Sequence, residues 1–426
     1  MAAEVDPHHP RRRSLRGFGY FSRVGPAIVT GAADDDPSGI GTYSQVGAAF
    51  GFGFLWTAVV TLPLAAAVQE VSARIGLTTG GGLATALKRR FPTWVLGVAV
   101  LLVTVANVFN IAADLGSMAA AVRLLAPVPI AVAMVAIVGA LLGLEIVVSY
   151  GRYARVLRWL TLSLVAYVAV LAVLHIDWSE VARATFLPRI TLDRTSLAAL
   201  IAIFGTTISP YLFFWQASEE AEEEELELDH GGAPVDGDHV AAMRGDVIAG
   251  MGSAVVVMFS IMVAAAATLH AEGLTTIGTA EEAARALRPI AGNLASLLFT
   301  LGIVGTGCLA IPVLAGSTAY ALAEAFGWHE GLGRTFREAR GFYLVIVAAG
   351  VLGLAIALAG LDPIRGLYWA AILNGVAAPP LILLMFLLAR DPGTVGTWRS
   401  GRLSTALVGL AFVVMAGAPL AYLLRR

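Results

Sequence analysis

Three consecutive aspartates, Asp34, Asp35 and Asp36, lie in a segment whose flanks are apolar enough for a bilayer. Placing a carboxylate at membrane depth costs free energy, so an intramembrane carboxylate indicates a functional site. Their oxygens, together with backbone carbonyls that Pro37 leaves unpaired, suit hard divalent cations such as Mg²⁺, Ca²⁺ and Mn²⁺. Successive helical residues point about 100° apart. We therefore expect Asp36, at the break, to be the ligand, and Asp34 and Asp35 to face a wide, wet vestibule.

A structural ion pair is the alternative explanation for these aspartates. It would require a basic partner at the same depth, and no Lys or Arg lies in the core of any predicted membrane span. The residues therefore favour a cation site over a structural pair.

Composition places the chain among polytopic membrane proteins. Of its 426 residues 58% are hydrophobic and 14% charged, and the mean hydropathy is +0.79. These values exclude a soluble catalytic domain. The single cysteine, Cys308, excludes a disulfide framework or a cysteine metal cluster. We expect no cleaved signal peptide, because no apolar core precedes Gly17.

About eleven apolar segments reach the roughly 20 residues that a helix needs to cross a bilayer. Most of the 28 Lys and Arg residues fall on one side if the N-terminus is cytoplasmic, which is the orientation we predict. The predicted spans are 23–49, 54–75, 94–125, 130–149, 156–174, 197–218, 247–270, 294–326, 343–360, 367–388 and 404–424.

Two of these spans are interrupted. The first is broken by "DDDPSG" and the sixth by "GTTISPY" at 205–211. Proline removes a backbone donor and clashes with the preceding turn, so each stretch is expected to unwind. Unwound backbone at that depth must line a cavity or be buried in protein. Paired interruptions in corresponding positions of two halves are typical of the binding site of an inverted-repeat transporter.

The predicted organisation follows from this pairing. It comprises a cytoplasmic tail 1–22, a first five-helix repeat 23–175, an extracellular loop 176–196, a second five-helix repeat 197–389, a cytoplasmic loop 390–403 and an eleventh helix 404–426.

Three stretches, "GPAIVTGAADDDPSGIGTYSQVGAAFGFGFLW", "QEVSARIGLTTGGGLATALKRRFP" and "GTTISPYLF", resemble the natural resistance-associated macrophage protein (Nramp) family of divalent metal transporters. The resemblance implies an all-α, LeuT-type 5+5 inverted-repeat fold with a metal between the broken first and sixth helices. The family's Asp-Pro-Gly-Asn motif reads Asp36, Pro37, Ser38, Gly39 here. The aspartate is kept, and Gly39 stands where the family has an asparagine ligand.

The sixth helix departs further from the family pattern. Manganese and iron transporters of the family carry Ala-x-x-Met-Pro-His, whereas this chain has Thr206, Thr207, Ile208, Ser209, Pro210 and Tyr211. Ser209 replaces a thioether that favours softer transition metals. A roomier oxygen site suits a largely hydrated Mg²⁺, and the pattern resembles the divergent Nramp-related magnesium transporters. The alternative is a proton-coupled Mn²⁺ or Fe²⁺ transporter that tolerates the serine.

Asn374 completes the predicted metal site, which comprises Asp36, Gly39, Thr206, Ser209 and Asn374. Its match to a polar ligand in the family's tenth helix is loose, and a helix-packing amide is the alternative. A possible vestibule or proton route comprises Asp34, Asp35, Asn107, Asp114, Tyr211, Glu219 and Glu220.

Proton coupling is expected to be absent. The resemblance places Tyr211 and Asn107 where proton-coupled relatives have titratable groups, and neither Tyr nor Asn titrates near neutral pH. Asp114 could carry a proton or simply form a hydrogen bond across helices. The acidic run 219–229 is either a solvated helix end or a patch that concentrates divalent ions. His230 and His239, in the following loop, are not expected to bind metal.

Two other classes are disfavoured. A membrane enzyme would need a nucleophile or a metal-ligand set at membrane depth, and His and Cys are scarce in the spans. An amino acid carrier on the same scaffold would receive a substrate carboxylate, which these aspartates would repel. We expect a monomeric protein of the cytoplasmic membrane that is not an enzyme and needs no cofactor. Its expected partners are a divalent metal ion and the bilayer, with no nucleic acid.

Overall fold

The computed structural model describes residues 30–31, 33–147, 164–188, 191, 193–229, 235–396 and 398–425, without the side chains of 226–229, and these residues form helices and connecting turns but no strand. The main helices, in chain order, are α1 (Pro37–Phe50), α2 (Trp56–Thr79), α3 (Leu83–Arg90), α4 (Thr93–Arg123), α5 (Ile130–Val147), α6 (Val165–Val170), α7 (Trp178–Phe186), α8 (Arg194–Thr207), α9 (Pro210–Asp229), α10 (Gly237–Ala265), α11 (Ala295–Phe326), α12 (Arg340–Leu358), α13 (Pro363–Arg390) and α14 (Arg402–Leu424). Single α-helical turns occupy Ala280–Ala284, Arg288–Ala291 and Pro392–Val395. The 3₁₀ turns are Gly51–Phe54, Arg285–Leu287 and Gly292–Leu294, and a π turn covers Ala266–His270.

Nine helical segments in the described part of the chain are long and apolar enough to cross a membrane. They correspond to nine of the eleven predicted spans. The other two, 23–49 and 156–174, begin outside the described residues. The polytopic all-α prediction is confirmed.

Connections that were predicted as loops contain helix. The predicted loop 176–196 holds α7, whose first turn is capped by Asp177, because Asp177 Oδ1 accepts hydrogen bonds from the backbone N–H groups of Ser179 (2.9 Å) and Glu180 (3.3 Å). The sixth span was predicted to end at residue 218, but α9 continues to Asp229. Apolar length therefore underestimated the extent of helix wherever polar residues continue it.

Both predicted helix breaks are present. Asp34 is helical, the chain turns at Asp35 and Asp36, and α1 begins at Pro37. The second break lies between α8, which ends at Thr207, and α9, which begins at Pro210. Proline suits the first position of a helix because its missing N–H is unpaired there in any case.

Small residues let the helices around the breaks approach closely. A Cβ added at Gly205 of α8 would collide with the Ala371 carbonyl and with Gly375 of α13, and one added at Gly76 of α2 would collide with Ala217 of α9. Close backbone crossings of this kind are typical of membrane helix packing. They enclose the breaks in protein. By contrast, only 17% of the main apolar stretch of α14 is buried.

Candidate metal site

Asp36 lies at the first break and caps α1. Its Oδ1 accepts hydrogen bonds from the Gly39 backbone N–H (2.6 Å) and the Ser38 hydroxyl (2.7 Å). Its Oδ2 accepts from the Asn110 amide (2.9 Å) and the Tyr211 hydroxyl (3.3 Å). The carboxylate is 1% exposed. Four hydrogen-bond donors and the N-terminal end of α1 thus stabilise the charged form of this carboxyl group.

Asn110 is a site residue that the sequence reasoning missed. It lies on α4, one turn before Asp114, and the Oδ1 of its amide is buried without a hydrogen-bond partner among the described residues. Asn107, Asn110 and Asp114 recur at helical spacing on an otherwise apolar helix. That spacing was the signal that could have identified Asn110, because residues three and four positions apart share one face of a helix.

Asn107 does not contact Asp36. Its amide donates to the Leu314 carbonyl (3.1 Å) and the Thr318 hydroxyl (3.0 Å), and it thereby connects α4 to α11. Asp114 is fully buried, and its carboxylate interacts with the backbone N–H of Ser38. Asp114 lies near enough to Asp36 for the two charges to interact.

The second break carries no charge. The Ser209 hydroxyl donates to the carbonyls of Gly205 (2.7 Å) and Thr206 (2.6 Å), so it caps the C-terminal end of α8. The Thr206 hydroxyl lies 3.3 Å from the Ser38 hydroxyl of α1. Thr206 thus adjoins the Asp36 network directly, whereas Ser209 is turned toward its own helix.

Gly39 and Asn374, two other predicted ligands, have different environments. Gly39 has no side-chain oxygen and gives its N–H to Asp36. It therefore positions the carboxylate in this arrangement. Asn374 of α13 is 0% exposed, and neither atom of its amide has a partner within the described chain. A buried amide without partners requires an explanation, and a bound ion or its water shell would supply one.

Asp34 and Asp35 do not face a wide vestibule, which corrects our expectation. They are 0% and 4% exposed. Their stretch lies against α10, since a Cβ added at Gly31 would collide with the backbone of Gly250. The helices around the break therefore bury these carboxylates.

Two sets of hydroxyl contacts join the broken helices. On one side of the breaks, Tyr43 of α1 and Thr207 of α8 are joined by a hydrogen bond of 2.7 Å between their hydroxyls. On the other side, the Tyr211 hydroxyl of α9 donates to the Ala33 carbonyl (2.9 Å), and Thr30 donates to Gln216 of α9 (2.6 Å). Thus α1 is joined to α8, and the described residues before the first break, Thr30 and Ala33, are joined to α9.

The ligand chemistry available at the breaks is oxygen-rich. Among the described residues no three His, Cys, Asp or Glu side chains converge to hold a metal. The nearby thioether of Met258 accepts a hydrogen bond from the Thr207 hydroxyl (3.9 Å). One carboxylate with neutral oxygens and water is the arrangement that a hydrated hard cation uses.

The acidic run on α9 is more than a solvated helix end. Tyr320 donates to Glu219 (3.0 Å), and Gln216 donates to Glu220 (2.8 Å). Glu222 accepts from the backbone N–H groups of Leu332 (3.1 Å) and Gly333 (2.7 Å). The run therefore holds the connection between α11 and α12 against α9.

Glu330 belongs to the same connection, outside the spanning helices. Burial, reinforced by the negative charges of Glu324 and Glu222, raises its pKa to about 9, although Arg334 acts in the opposite direction. His230 lies outside the described residues. His239 hydrogen-bonds Asp236 in a helix cap (2.8 Å).

Comparisons with known proteins agree with this geometry. Residues 27–425 match the family model described as "Natural resistance-associated macrophage protein-like". Proteins named divalent metal cation transporter MntH from Deinococcus radiodurans and Acidiphilium cryptum are each 27% identical to this chain, over 92% of it and 88% of their own length.

Solved structures share the fold. The Eremococcus coleocola manganese transporter superposes with a TM-score of 0.72 at 18% identity, covering 93% of this chain and 85% of its own. A nucleobase-cation-symport-1 family transporter in a closed conformation gives 0.60 at 14% identity, covering 95% of this chain and 91% of its own. Together with the paired helix breaks, these matches confirm the LeuT-type inverted-repeat fold. Since the family model spans nearly the whole chain, the chain belongs to the natural resistance-associated macrophage protein family.

Proposed function

We propose that this chain is a divalent metal cation transporter that carries Mg²⁺ together with Mn²⁺, by alternating access and without proton coupling. The observation that carries the proposal is the contrast at the two breaks. Asp36 provides a charge held by four donors, whereas Ser209 provides a hydroxyl where manganese-carrying relatives have a thioether.

Magnesium selectivity rests on the ligand set. Mg²⁺ loses its waters reluctantly and is typically bound through one or two carboxylates while it keeps several waters. Oxygen ligands that can meet an ion or its water shell are supplied by Asp36, the Thr206 hydroxyl, the Asn110 Oδ1 and the Asn374 amide, the last two without a hydrogen-bond partner among the described residues. At the second break Ser209 supplies a hydroxyl, and a hydroxyl does not favour a softer ion as a thioether does.

Proton-independent transport rests on the neighbours of Asp36. The two side chains that meet its Oδ2, Asn110 and Tyr211, donate hydrogen bonds and do not titrate near neutral pH. An inside-negative potential drives a divalent ion inward by about 4.6 kcal/mol per 100 mV. That drive supports accumulation of more than about a thousandfold, so no proton gradient is required.

Proteoliposomes loaded with dyes test both parts of the proposal. A Mg²⁺-sensitive dye should report Mg²⁺ uptake that depends on the protein and on an inside-negative potential. A pH dye in parallel vesicles should show no acidification above protein-free vesicles during uptake. Uptake of Mn²⁺ with none of Mg²⁺ would overturn the magnesium assignment, and metal-driven acidification would overturn uncoupled transport.

A further inference from the structure

Two cavities share the short helix α7 as a wall, and both lie apart from the metal site. On one side of α7, Val181, Ala182 and Phe186 line an apolar groove of about 440 Å³. On the other side, Glu180 and Arg183 line a cavity of about 620 Å³ that carries charged groups. Exposed apolar grooves beside polar groups mark sites where ligands or membrane components bind. An apolar groove next to a charged cavity suits an amphiphilic ligand.

The apolar groove opens toward the bilayer. Val59 of α2 and Val256 of α10 line it, and these side chains of two membrane-spanning helices are 47% and 55% exposed. A Cβ added at Gly252, which also lines the groove, would meet no described atom within 4 Å. Exposed apolar side chains on a spanning helix face lipid tails. The groove therefore offers space that a lipid tail can enter from the side.

The charged cavity lies at the end of the same spanning segments. Its lining includes Phe50 at the end of α1, residues of the turn before α2, and residues of the π turn after α10. On α10 the groove reaches Phe259 and the cavity begins at Ala266, a separation of about 10 Å along the helix. The headgroup region of a bilayer is about 5–8 Å thick on each side. The cavity thus lies at headgroup depth when the groove lies among the tails.

The charges of the cavity select the kind of headgroup. Asp177, Glu180 and Arg183 line it, so it holds a formal excess of one negative charge from these three groups. A guanidinium is well suited to bind phosphate, and a carboxylate accepts hydrogen bonds from an ammonium group. Asp177 is committed to capping α7, which leaves Glu180 for the ammonium. An anionic headgroup would meet two carboxylates for one cation, so the charges favour a headgroup with both a phosphate and an amine.

We propose that α7, α2 and α10 form a binding site for a zwitterionic phospholipid. Arg183 binds its phosphate, Glu180 accepts from its amine, and one acyl chain occupies the groove that Gly252 leaves open. His270 also lines the cavity, and its Nδ1 lies 2.7 Å from the Ala48 carbonyl of α1. The bound headgroup would therefore adjoin the half-helix that Asp36 caps. The site does not depend on which ion the protein transports.

Native mass spectrometry of protein released from nanodiscs tests the site. The nanodiscs contain equal amounts of phosphatidylethanolamine and phosphatidylglycerol with the same acyl chains. Wild type should retain phosphatidylethanolamine in preference to phosphatidylglycerol by about tenfold. Gly252→Leu fills the groove and should lose most of the retained lipid. Gly417→Leu is the matched control, because Gly417 lies exposed on α14 and an added Cβ there also meets no described atom within 4 Å.

Two substitutions of exposed residues in α7 test the headgroup contacts and keep the test valid if Gly252→Leu fails to fold. Arg183→Gln should weaken retention of both lipids, and Glu180→Gln should abolish the preference for phosphatidylethanolamine. Equal retention of the two lipids by wild type would overturn the proposal, as would retention unchanged in both Gly252→Leu and Arg183→Gln. Loss of lipid in Gly417→Leu equal to that in Gly252→Leu would overturn it too. Metal uptake is measured separately, so its absence in wild type would count against the proposed function alone.

Discussion

Each helix break leaves backbone groups without a partner inside the helix, and a different side chain satisfies them at each break. At the first, the Asp36 carboxylate caps the free Gly39 N–H of α1. At the second, the Ser209 hydroxyl caps the free carbonyls of α8. A cation is therefore attracted by the charge of the first break and meets only neutral oxygen at the second. The comparison separates charge, which decides that a cation binds, from donor softness, which decides which cation is preferred.

The largest expected effect comes from removing the charge of the first break. Asp36→Asn keeps the shape of the side chain, but the site then has only neutral oxygens. We expect transport of Mg²⁺ and Mn²⁺ to fall by at least about 100-fold, because even indirect partners of a metal site cost 10–100-fold. Dye-based uptake at matched protein content measures the loss, with Asp177→Asn, at the N-cap of α7, as the control. Transport near the wild-type rate in Asp36→Asn would show that the charge that binds the metal ion lies on another residue.

Placing a softer thioether ligand at the second break should change the preference between Mn²⁺ and Mg²⁺ more than the transport rate. Ser209→Met restores a thioether, and we expect the preference for Mn²⁺ over Mg²⁺ to rise by about tenfold, equal to about 1.4 kcal/mol. Ser209→Ala removes the hydroxyl cap without adding sulfur and separates the two effects. Met258→Leu removes the thioether that already lies near the breaks, and as a control it should leave the preference unchanged. Competition of the two ions for uptake measures all three variants, and a shift in Ser209→Ala equal to that in Ser209→Met would contradict the thioether argument.

Asn110 and Asn107 provide a matched pair on one helix face. Asn110→Ala removes a donor to Asp36, so we expect the KM for metal to rise by about tenfold. Asn107→Ala breaks contacts to α11 and should lower thermal stability while leaving KM within about twofold. Uptake kinetics and thermal unfolding in detergent distinguish the two. Equal effects on KM would show that the contact with Asp36 does not matter for binding.

The smallest effect concerns the connection beyond α11, far from either break. Because its pKa is raised to about 9 from an ordinary value of 4.5, Glu330 binds a proton in the folded protein that the unfolded chain has released. Stability should therefore decrease as the pH rises through this window, and Glu330→Gln should remove that part of the decrease. Thermal unfolding between pH 5 and 9 compares it with wild type and with the exposed control Glu281→Gln. Parallel curves for wild type and Glu330→Gln would contradict this assignment.

Much of the fold was predictable because the thickness of the bilayer sets the number of apolar residues that a spanning helix needs. Apolar runs and the prolines at Pro37 and Pro210 located the spans and both breaks. Polar helix was harder to predict. The acidic part of α9 and the short helix α7 have no apolar length to mark them. Contacts with the connection between α11 and α12 hold α9, and the Asp177 cap stabilises α7.

The site was only partly predictable for a related reason. Asp36 and Thr206 could be placed from local signals at the breaks, and the structure brings them together through Ser38. Asn110 contacts Asp36 from a helix more than 70 positions further along the chain, and only its spacing with Asn107 and Asp114 indicated a polar face. The enclosure of Asp34 and Asp35 depends on packing against α10, which local sequence does not report.

Competition between the two ions tests the central claim most directly. Initial Mn²⁺ uptake into proteoliposomes is measured at increasing external Mg²⁺ under a fixed membrane potential. If Asp36 and neutral oxygens hold a hydrated ion, Mg²⁺ should inhibit competitively, with a Ki within about tenfold of the KM for Mn²⁺, a difference of at most about 1.4 kcal/mol. Mn²⁺ uptake that proceeds unchanged in millimolar Mg²⁺ would contradict the account.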